Sequence, residues 1–337
     1  VTGALSGLGT RRVPASPLCL DGRSELYEGT RPVGAADGRI RASVATAAAA
    51  TIGTVAFRRL AARLPETTRA TWERTNHAGR SVTLLQGPVW VAAAATGLAL
   101  GSTMNRRASG RLGPSLLVVL ASGGLGALDD LAGSGSSKGL KGHLGALRRG
   151  ALTTGAVKVI GLAATGMTGA LLADRSARSD PPASRGPVRV RGRVAGHGRS
   201  QERGALAAVV GGAVIAGAAN VANLFDLRPG RALKVVVLCG GPLALAGFRP
   251  AAAALGASAG VLRDDLAGRS MLGDTGANAA GALIGLALVE ATGLRGRVVA
   301  LAGLTALTLA SEKVSFSKVI DAHGTLRRLD EWGRSGS

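Results

Sequence analysis

Aromatic side chains are nearly missing from this 337-residue chain. They make up 2 % of it, as 3 Trp, 1 Tyr and 4 Phe, although 46 % of residues are hydrophobic. The surplus is mostly Ala, Val, Leu and Gly. That balance argues against an ordinary soluble domain and for helices that approach closely in lipid through small residues. A mean hydropathy of +0.26 agrees. Cysteine is almost as scarce. Cys19 and Cys239 are the 2 present, too few for a disulfide framework and without metal-ligand spacing. Cys239, inside an apolar run, reads as a small packed hydrophobe. Acids are outnumbered, 20 Asp and Glu against 41 Lys and Arg, for a formal charge of +21. Such a charge suits nucleic acid, but the arginines fall in short clusters between apolar runs. A cytoplasmic membrane face or anionic phosphate ligands fit that distribution, and no nucleic-acid partner is expected. Residues 1–38 lack the apolar core of a signal peptide and read as a disordered tail, or as sequence upstream of the true start.

What is present is a series of apolar runs, at about 41–58, 82–104, 112–128, 153–173, 204–225, 232–248, 250–267, 275–293 and 297–311. A membrane-crossing helix needs roughly 20 mainly apolar residues, or fewer when short and tightly packed. The expected fold is therefore all-α, a polytopic transmembrane helical bundle of about nine spans over residues 39–311. A C-terminal tail, 312–337, follows it. The loops sharing a side with that tail, among them "SSKGLKGHLGALRRG" and "DLRPGRALK", are basic, which makes their side cytoplasmic. Residues 174–203 break the rule, being Arg-rich on the opposite side. Their Pro, Gly and Ser mark a flexible insertion.

With that topology, every acidic cluster near a helix end falls on the cytoplasmic side. Asp129 and Asp130 close the third run. Asn220, Asn223 and Asp226 close the fifth, and their spacing of three places them roughly along one helix face until Pro229 stops it. Asp264 and Asp265 close the seventh, and Asp274 opens the eighth. Ionisable residues in spanning segments are costly, and mark functional sites by default. Carboxylates converging on one pocket suit a hard divalent cation, and Mg²⁺ in particular completes its shell with substrate phosphates. Lys158, near the cytoplasmic end of the fourth run, needs an anionic partner there.

The stretches "WERTNHAGRSVTLLQGP", "GALDD", "TTGAVKVIG", "NVANLFD" and "MLGDTGANAAGALIG" follow one another in this order. Over about residues 72–320 the chain resembles the polyprenyl-phosphate N-acetylhexosamine-1-phosphate transferases. That superfamily includes phospho-N-acetylmuramoyl-pentapeptide transferase and the undecaprenyl-phosphate GlcNAc-1-phosphate transferases. The resemblance implies an inner-membrane enzyme with a cytoplasmic site. There a polyprenyl phosphate attacks the β-phosphate of a UDP-sugar, with Mg²⁺, and UMP leaves. It implies catalytic roles for Asp129, Asp130 and Asp226, and a metal-ligand role for Asp274. Substrate contacts fall to Lys158, Asn220, Asn223, Arg228 and His323. A homodimer is among the assemblies left open. Two departures stand out. The histidine-rich loop of the muramoyl-pentapeptide branch is reduced here to His323, in "VIDAHGTLRRLDEW", and "DLRPGRA" brings Arg228 and Arg231 to a turn that is usually Asp-Gly-Leu-Asp-Gly.

Each residue also has a plain structural reading. Asp129 and Asp130 read equally as a solvated helix end, and Asp264 and Asp265 as solvated loop acids. Asp274 serves as a helix N-cap, Asn220 and Asn223 as interhelical hydrogen bonders, and Lys158 as a snorkelling side chain. His77, His143 and His197 lie in basic loops and read as solvated. Trp72, Trp90 and Trp332 read as interfacial anchors or packing. At the level of function, the same polar set also serves a non-catalytic relative that binds lipid phosphate or an envelope-assembly partner, or a transporter. Against transport, the acids sit at helix ends on one side rather than near the midplane.

Overall fold

Each of the nine apolar runs carries a helix in the computed structural model, the second only from Gln86 onward because its first residues pair as a strand; the structure describes residues 33–75, 79–104, 110–132, 154–179 and 197–334. The tail before residue 33, Cys19, His77, His143 and 180–196 of the basic insertion lie outside the described residues. The long helices are α1 (Val33–Ala61), α3 (Gln86–Thr103), α4 (Leu112–Ala132), α5 (Thr154–Ser179) and α6 (His197–Phe225). After them come α7 (Arg231–Leu245), α8 (Arg249–Leu266), α9 (Gly273–Ala291) and α10 (Leu294–Lys313). Three short helices also lie among the described residues, α2 (Glu66–Ala70), α11 (Phe316–Ala322) and α12 (Gly324–Glu331). Among the described residues, five segments are long and apolar enough to cross a membrane: Asp37–Ala61, Leu112–Ala132, Thr154–Ser179, Gly204–Phe225 and Leu294–Lys313.

Among the described residues the architecture is all-helical but for one small antiparallel hairpin, β1 (Glu73–Thr75) and β2 (Ser81–Thr83), in which Arg74 faces Val82. Three-residue strands carry too little alternation to be read from sequence. Cys239 also departs from its sequence reading. It lies on the outward face of α7, beside exposed Val237 and Leu238, because the inward face is taken by Leu233, Val236 and Gly240.

Helix α9 is the axis of the bundle. Its residues from Thr275 to Ala287 are all buried, and α3, α4, α5, α6, α7 and α8 all pack on it. Small residues make this crowding feasible. A Cβ added at Gly281 would lie 2.2 Å from the carbonyl oxygen of Ala218, so α6 and α9 touch backbone to backbone there. Outermost is α10, which rests on α6 and is exposed along most of its length.

The helices run alternately up and down, and each end of the bundle is tied. At one end Arg297, at the start of α10, holds Asp174 of α5 through two hydrogen bonds of 2.9 and 2.6 Å. The same guanidinium reaches the carbonyls of Ala207 and Val289. At the other end lie the carboxylates singled out from sequence.

Candidate functional site

Three helices meet at Lys158. It sits in the first turns of α5, and its ammonium lies 2.8 Å from Asp129 Oδ2, near the C-terminus of α4. The same ammonium bonds Asp274 Oδ2, in the first turn of α9. The anionic partner that sequence reasoning demanded is thus a pair of carboxylates. All three side chains are mostly buried, between 15 % and 22 % exposed, where an unpaired charge would be costly.

Asp130 points elsewhere. Its Oδ1 accepts the backbone N–H of Asp274 at 3.0 Å, and its Oδ2 accepts the N–H of Thr275 at 2.9 Å and the Thr275 hydroxyl at 2.6 Å. A carboxylate on the open N–H groups of a helix start satisfies them and suits the helix dipole. Asp130 therefore caps α9 from α4, rather than Asp274 capping its own helix. The junction is tight. A Cβ at Gly126 would lie 2.2 Å from the Asp274 carbonyl oxygen, so glycine lets α4 reach the turn that carries Asp274. Gly273 adopts φ +60°, a left-handed conformation that suits glycine, and a Cβ there would meet Asp130 Oδ2 at 2.9 Å.

Asp226 follows the last residue of α6 and is 7 % exposed. Its Oδ2 has no hydrogen-bond partner among the described residues. Burial, then the neighbouring carboxylate of Asp265, push its pKa well above the usual carboxylate range. A hydrogen bond from the Gly273 backbone opposes this, while Asp274 and Asp130 add to the rise. Asp226 thus borders the cluster of Asp129, Lys158, Asp130 and Asp274.

Neighbouring residues build the frame around this cluster. Asp265 is buried rather than solvated, accepting the Gly230 N–H and the Gln86 side-chain amide at 3.2 Å. Ser270 donates to Gln86, and Arg74 of the hairpin to the backbone carbonyl of Asp130. Asp264 turns outward to Arg58 and Arg269. These two arginines and Asp264 line a cleft of about 430 Å³ between α1, α3 and α8, which none of Asp129, Lys158, Asp226 or Asp274 lines.

The remaining expected contacts are dispersed. Asn220 donates to Thr308 of α10 at 3.3 Å, and is thereby engaged between helices. Steps of three residues rotate each side chain by about 60° on a helix of 3.6 residues per turn, so Asn220 and Asp226 do not share a direction. Asn223 is half-buried, and its carbonyl accepts the Asp226 N–H at 3.1 Å. Arg228 pairs with Asp321 through two bonds of 3.1 Å. His323 is exposed at the start of α12, its Nδ1 2.8 Å from the Val319 carbonyl.

The altered turn "DLRPGR" has a structural explanation in the C-terminal segment. Arg231 grips Asp330 with bonds of 2.9 and 2.8 Å and reaches Ser317 at 3.0 Å. Arg334 bonds Asp330 at 2.9 Å and the Pro229 carbonyl at 3.1 Å. Phe316 stacks on Phe225, with centroids 5.2 Å apart. Thus α11 and α12 clamp the turn that follows Asp226.

Among the described residues no group of three or more His, Cys, Asp or Glu side chains is arranged to hold a metal. The donor set nevertheless fits a cation that needs few protein ligands. Asp226 has an oxygen free, and the oxygens of Asp129 and Asp274 share a single ammonium. Mg²⁺ takes one or two carboxylates and leaves the rest of its shell to water and phosphate. Neither protein-family models nor curated proteins give a match to this chain.

Proposed function

We propose that this protein transfers a sugar-1-phosphate from a UDP-N-acetylhexosamine to a polyprenyl phosphate, releasing UMP, at the cytoplasmic face of the inner membrane. The bundle would cross the membrane nine times. The observation that carries the reading is the junction of Asp129, Lys158 and Asp274 from three separate helices, with the free oxygen of Asp226 beside it.

The chemistry follows from the charges. Donor and acceptor are both polyanions, so the site must offset their repulsion and stabilise charge shifting to the leaving phosphate. Asp274 and Asp226 would hold Mg²⁺, which when bound supplies Lewis-acid stabilisation of the phosphoryl oxygens. Lys158 offers its ammonium to a phosphate oxygen in exchange for the carboxylates it now holds. Asp129 then faces the acceptor phosphate and holds or takes its proton. Asp130 keeps the α9 N-terminus, and with it Asp274, in place. Bringing the acceptor in line at the bilayer boundary supplies proximity.

The test is UMP release from a panel of UDP-sugars with undecaprenyl or decaprenyl phosphate in detergent. Magnesium-dependent turnover that disappears in Asp274→Ala supports the reading. Magnesium-independent turnover, or full activity in that variant, contradicts it. A second reading is a non-catalytic lipid-phosphate binder, favoured by the engagement of Arg228 and Arg231 with the tail instead of the site. Lipid-phosphate binding without turnover on any UDP-sugar selects it.

A further inference from the structure

Helix α12 buries Asp330 and shows its hydrophobes. Asp330 is 6 % exposed, while Leu326, Leu329 and Trp332 are 43 %, 52 % and 74 % exposed. Leu326 and Leu329 are one turn apart, and Trp332 lies one turn further on, just past the end of the helix. Each step of three turns the side chain by about 60°, so the three spread over an apolar face about 120° wide that borders Asp330. Arg327 and Arg328, with Glu331 between them around the helix, are exposed on the remaining side. Facing water, such a face keeps solvated an apolar surface whose burial is favourable. A contiguous apolar patch rimmed by charge marks an interaction surface.

We infer that α12 docks on the surface of the protein's own bilayer. Leu326, Leu329 and Trp332 enter the headgroup region, and Arg327 and Arg328 meet anionic headgroups. Position selects this occupant. α10 is long and apolar enough to cross a membrane and ends at Lys313, and only Val314, Ser315, the short α11 and His323 separate it from α12. Phe316 of α11 stacks on Phe225, the last residue of another helix of that kind. Both contacts hold the segment where two such helices end, at the depth of a membrane boundary. The composition suits that boundary. Tryptophan favours the interface, where its ring is apolar and its N–H is wet, and arginines beside an apolar face draw anionic lipid.

The docking has a consequence within the protein. Asp330 and the apolar face belong to the same short helix, so lipid contact steadies the clamp of Asp330 on Arg231 and hence the turn after Asp226. The inference assumes no chemistry at Asp226, and its failure would leave the transferase reading standing.

The experiment uses the full chain in nanodiscs of phosphatidylcholine, with or without phosphatidylglycerol. Some discs carry lipid brominated high on its acyl chains. The emission of Trp332 is taken as the difference between the native chain and Trp332→Phe. Docking predicts blue-shifted Trp332 emission that bromine quenches, more strongly with phosphatidylglycerol. It also predicts that Leu326→Glu with Leu329→Glu abolishes the quenching and speeds hydrogen exchange at residues 226–231, while α9 keeps its protection. Trp332 emission typical of water and untouched by bromine would overturn the inference. So would quenching indifferent to phosphatidylglycerol. Shielding without bromine quenching that grows with protein concentration would assign the apolar face to a second copy, and also overturn it.

Discussion

Arg231 and Asp330 lie 99 positions apart and meet through two parallel hydrogen bonds of 2.9 and 2.8 Å, at 5 % and 6 % side-chain exposure. One residue opens α7 and the other belongs to α12, so the pair joins the tail to the turn that carries Asp226. Breaking a buried pair from one side strands a charge, and costs more than removing both partners. Arg231→Met alone is expected to lower unfolding stability by about 3 kcal/mol. Arg231→Met with Asp330→Leu should lose less than either single change. Denaturation of the four proteins in detergent checks this. A double variant as unstable as the sum of the singles would remove the pair from the account.

The same carboxylate gives a pH dependence. Burial raises the pKa of Asp330. The hydrogen bonds and charge of Arg231, with Arg334 and Lys234, outweigh burial and hold it below the usual carboxylate value. A carboxylate whose pKa is depressed on folding contributes stability that is complete above its unfolded value and is lost as pH falls through the folded one. The unfolded value is about 3.9, so docking of the tail should weaken below roughly pH 4 and stay level above it. Hydrogen exchange at residues 316–334 measures this directly. Asp330→Asn should exchange faster at neutral pH and lose that acid dependence.

Much of this arrangement could be read from the chain, because its cause is local. Apolar runs near the length of a bilayer announce helices, and acids at their ends announce a shared polar face. Lys158 announced its need for an anion simply by standing in an apolar run. Non-local choices were hidden. Nothing in "DLRPGR" says that Arg228 would find Asp321, or Arg231 would find Asp330, in a tail about 90 residues later. Nor does "RDDL" distinguish Asp265, which is buried on Gly230 and Gln86, from Asp264, which turns outward to arginines. Adjacent helix positions differ by about 100°, and only the neighbouring helices decide which one is inward. The role of Asp130 as a cap for α9 depends on a contact across 144 positions.

Asp226 should burden the fold. Its charged form is disfavoured by burial and by Asp265, so its pKa is raised. A carboxyl whose pKa rises on folding favours the folded state below the unfolded value, and that advantage fades as pH climbs toward the folded value. Asp226→Asn removes the charge at similar size, and is expected to stabilise the protein at neutral pH by on the order of 1 kcal/mol. If the proposed chemistry holds, turnover is lost in the same variant. A lower melting temperature for Asp226→Asn would mean that the carboxylate is better satisfied than its free Oδ2 suggests.

Gly126 and Gly124 form a matched test of the α4–α9 junction. A Cβ at Gly126 would come within 2.2 Å of the Asp274 carbonyl oxygen, whereas one at Gly124 meets nothing within 4 Å. Forcing apart two backbones costs about 1–3 kcal/mol, while alanine in an open helical position gains up to about 1 kcal/mol over glycine. Gly126→Ala should therefore be destabilised and Gly124→Ala neutral or slightly improved, as read by thermal melting. If the proposed chemistry holds, Gly126→Ala also loses turnover, since the shift moves Asp129 relative to Asp274. Equal behaviour of the two variants would show that α4 slides freely on α9.

Lys158 now does for Asp129 and Asp274 what a divalent cation could do. In Lys158→Met the two carboxylates face each other without an ammonium, which should cost on the order of 3 kcal/mol in chelator. A ligand that binds only the folded state stabilises it by about 2.7 kcal/mol at a hundredfold excess over its dissociation constant. If Asp274 and its neighbours can hold Mg²⁺, added Mg²⁺ should restore much of the loss in Lys158→Met. The native chain, with its ammonium in place, should gain less. Calcium at matched concentration tests whether site size matters, since the larger ion needs more oxygens. Melting curves that ignore both ions in Lys158→Met would mean that these carboxylates form an ion pair with lysine and nothing more.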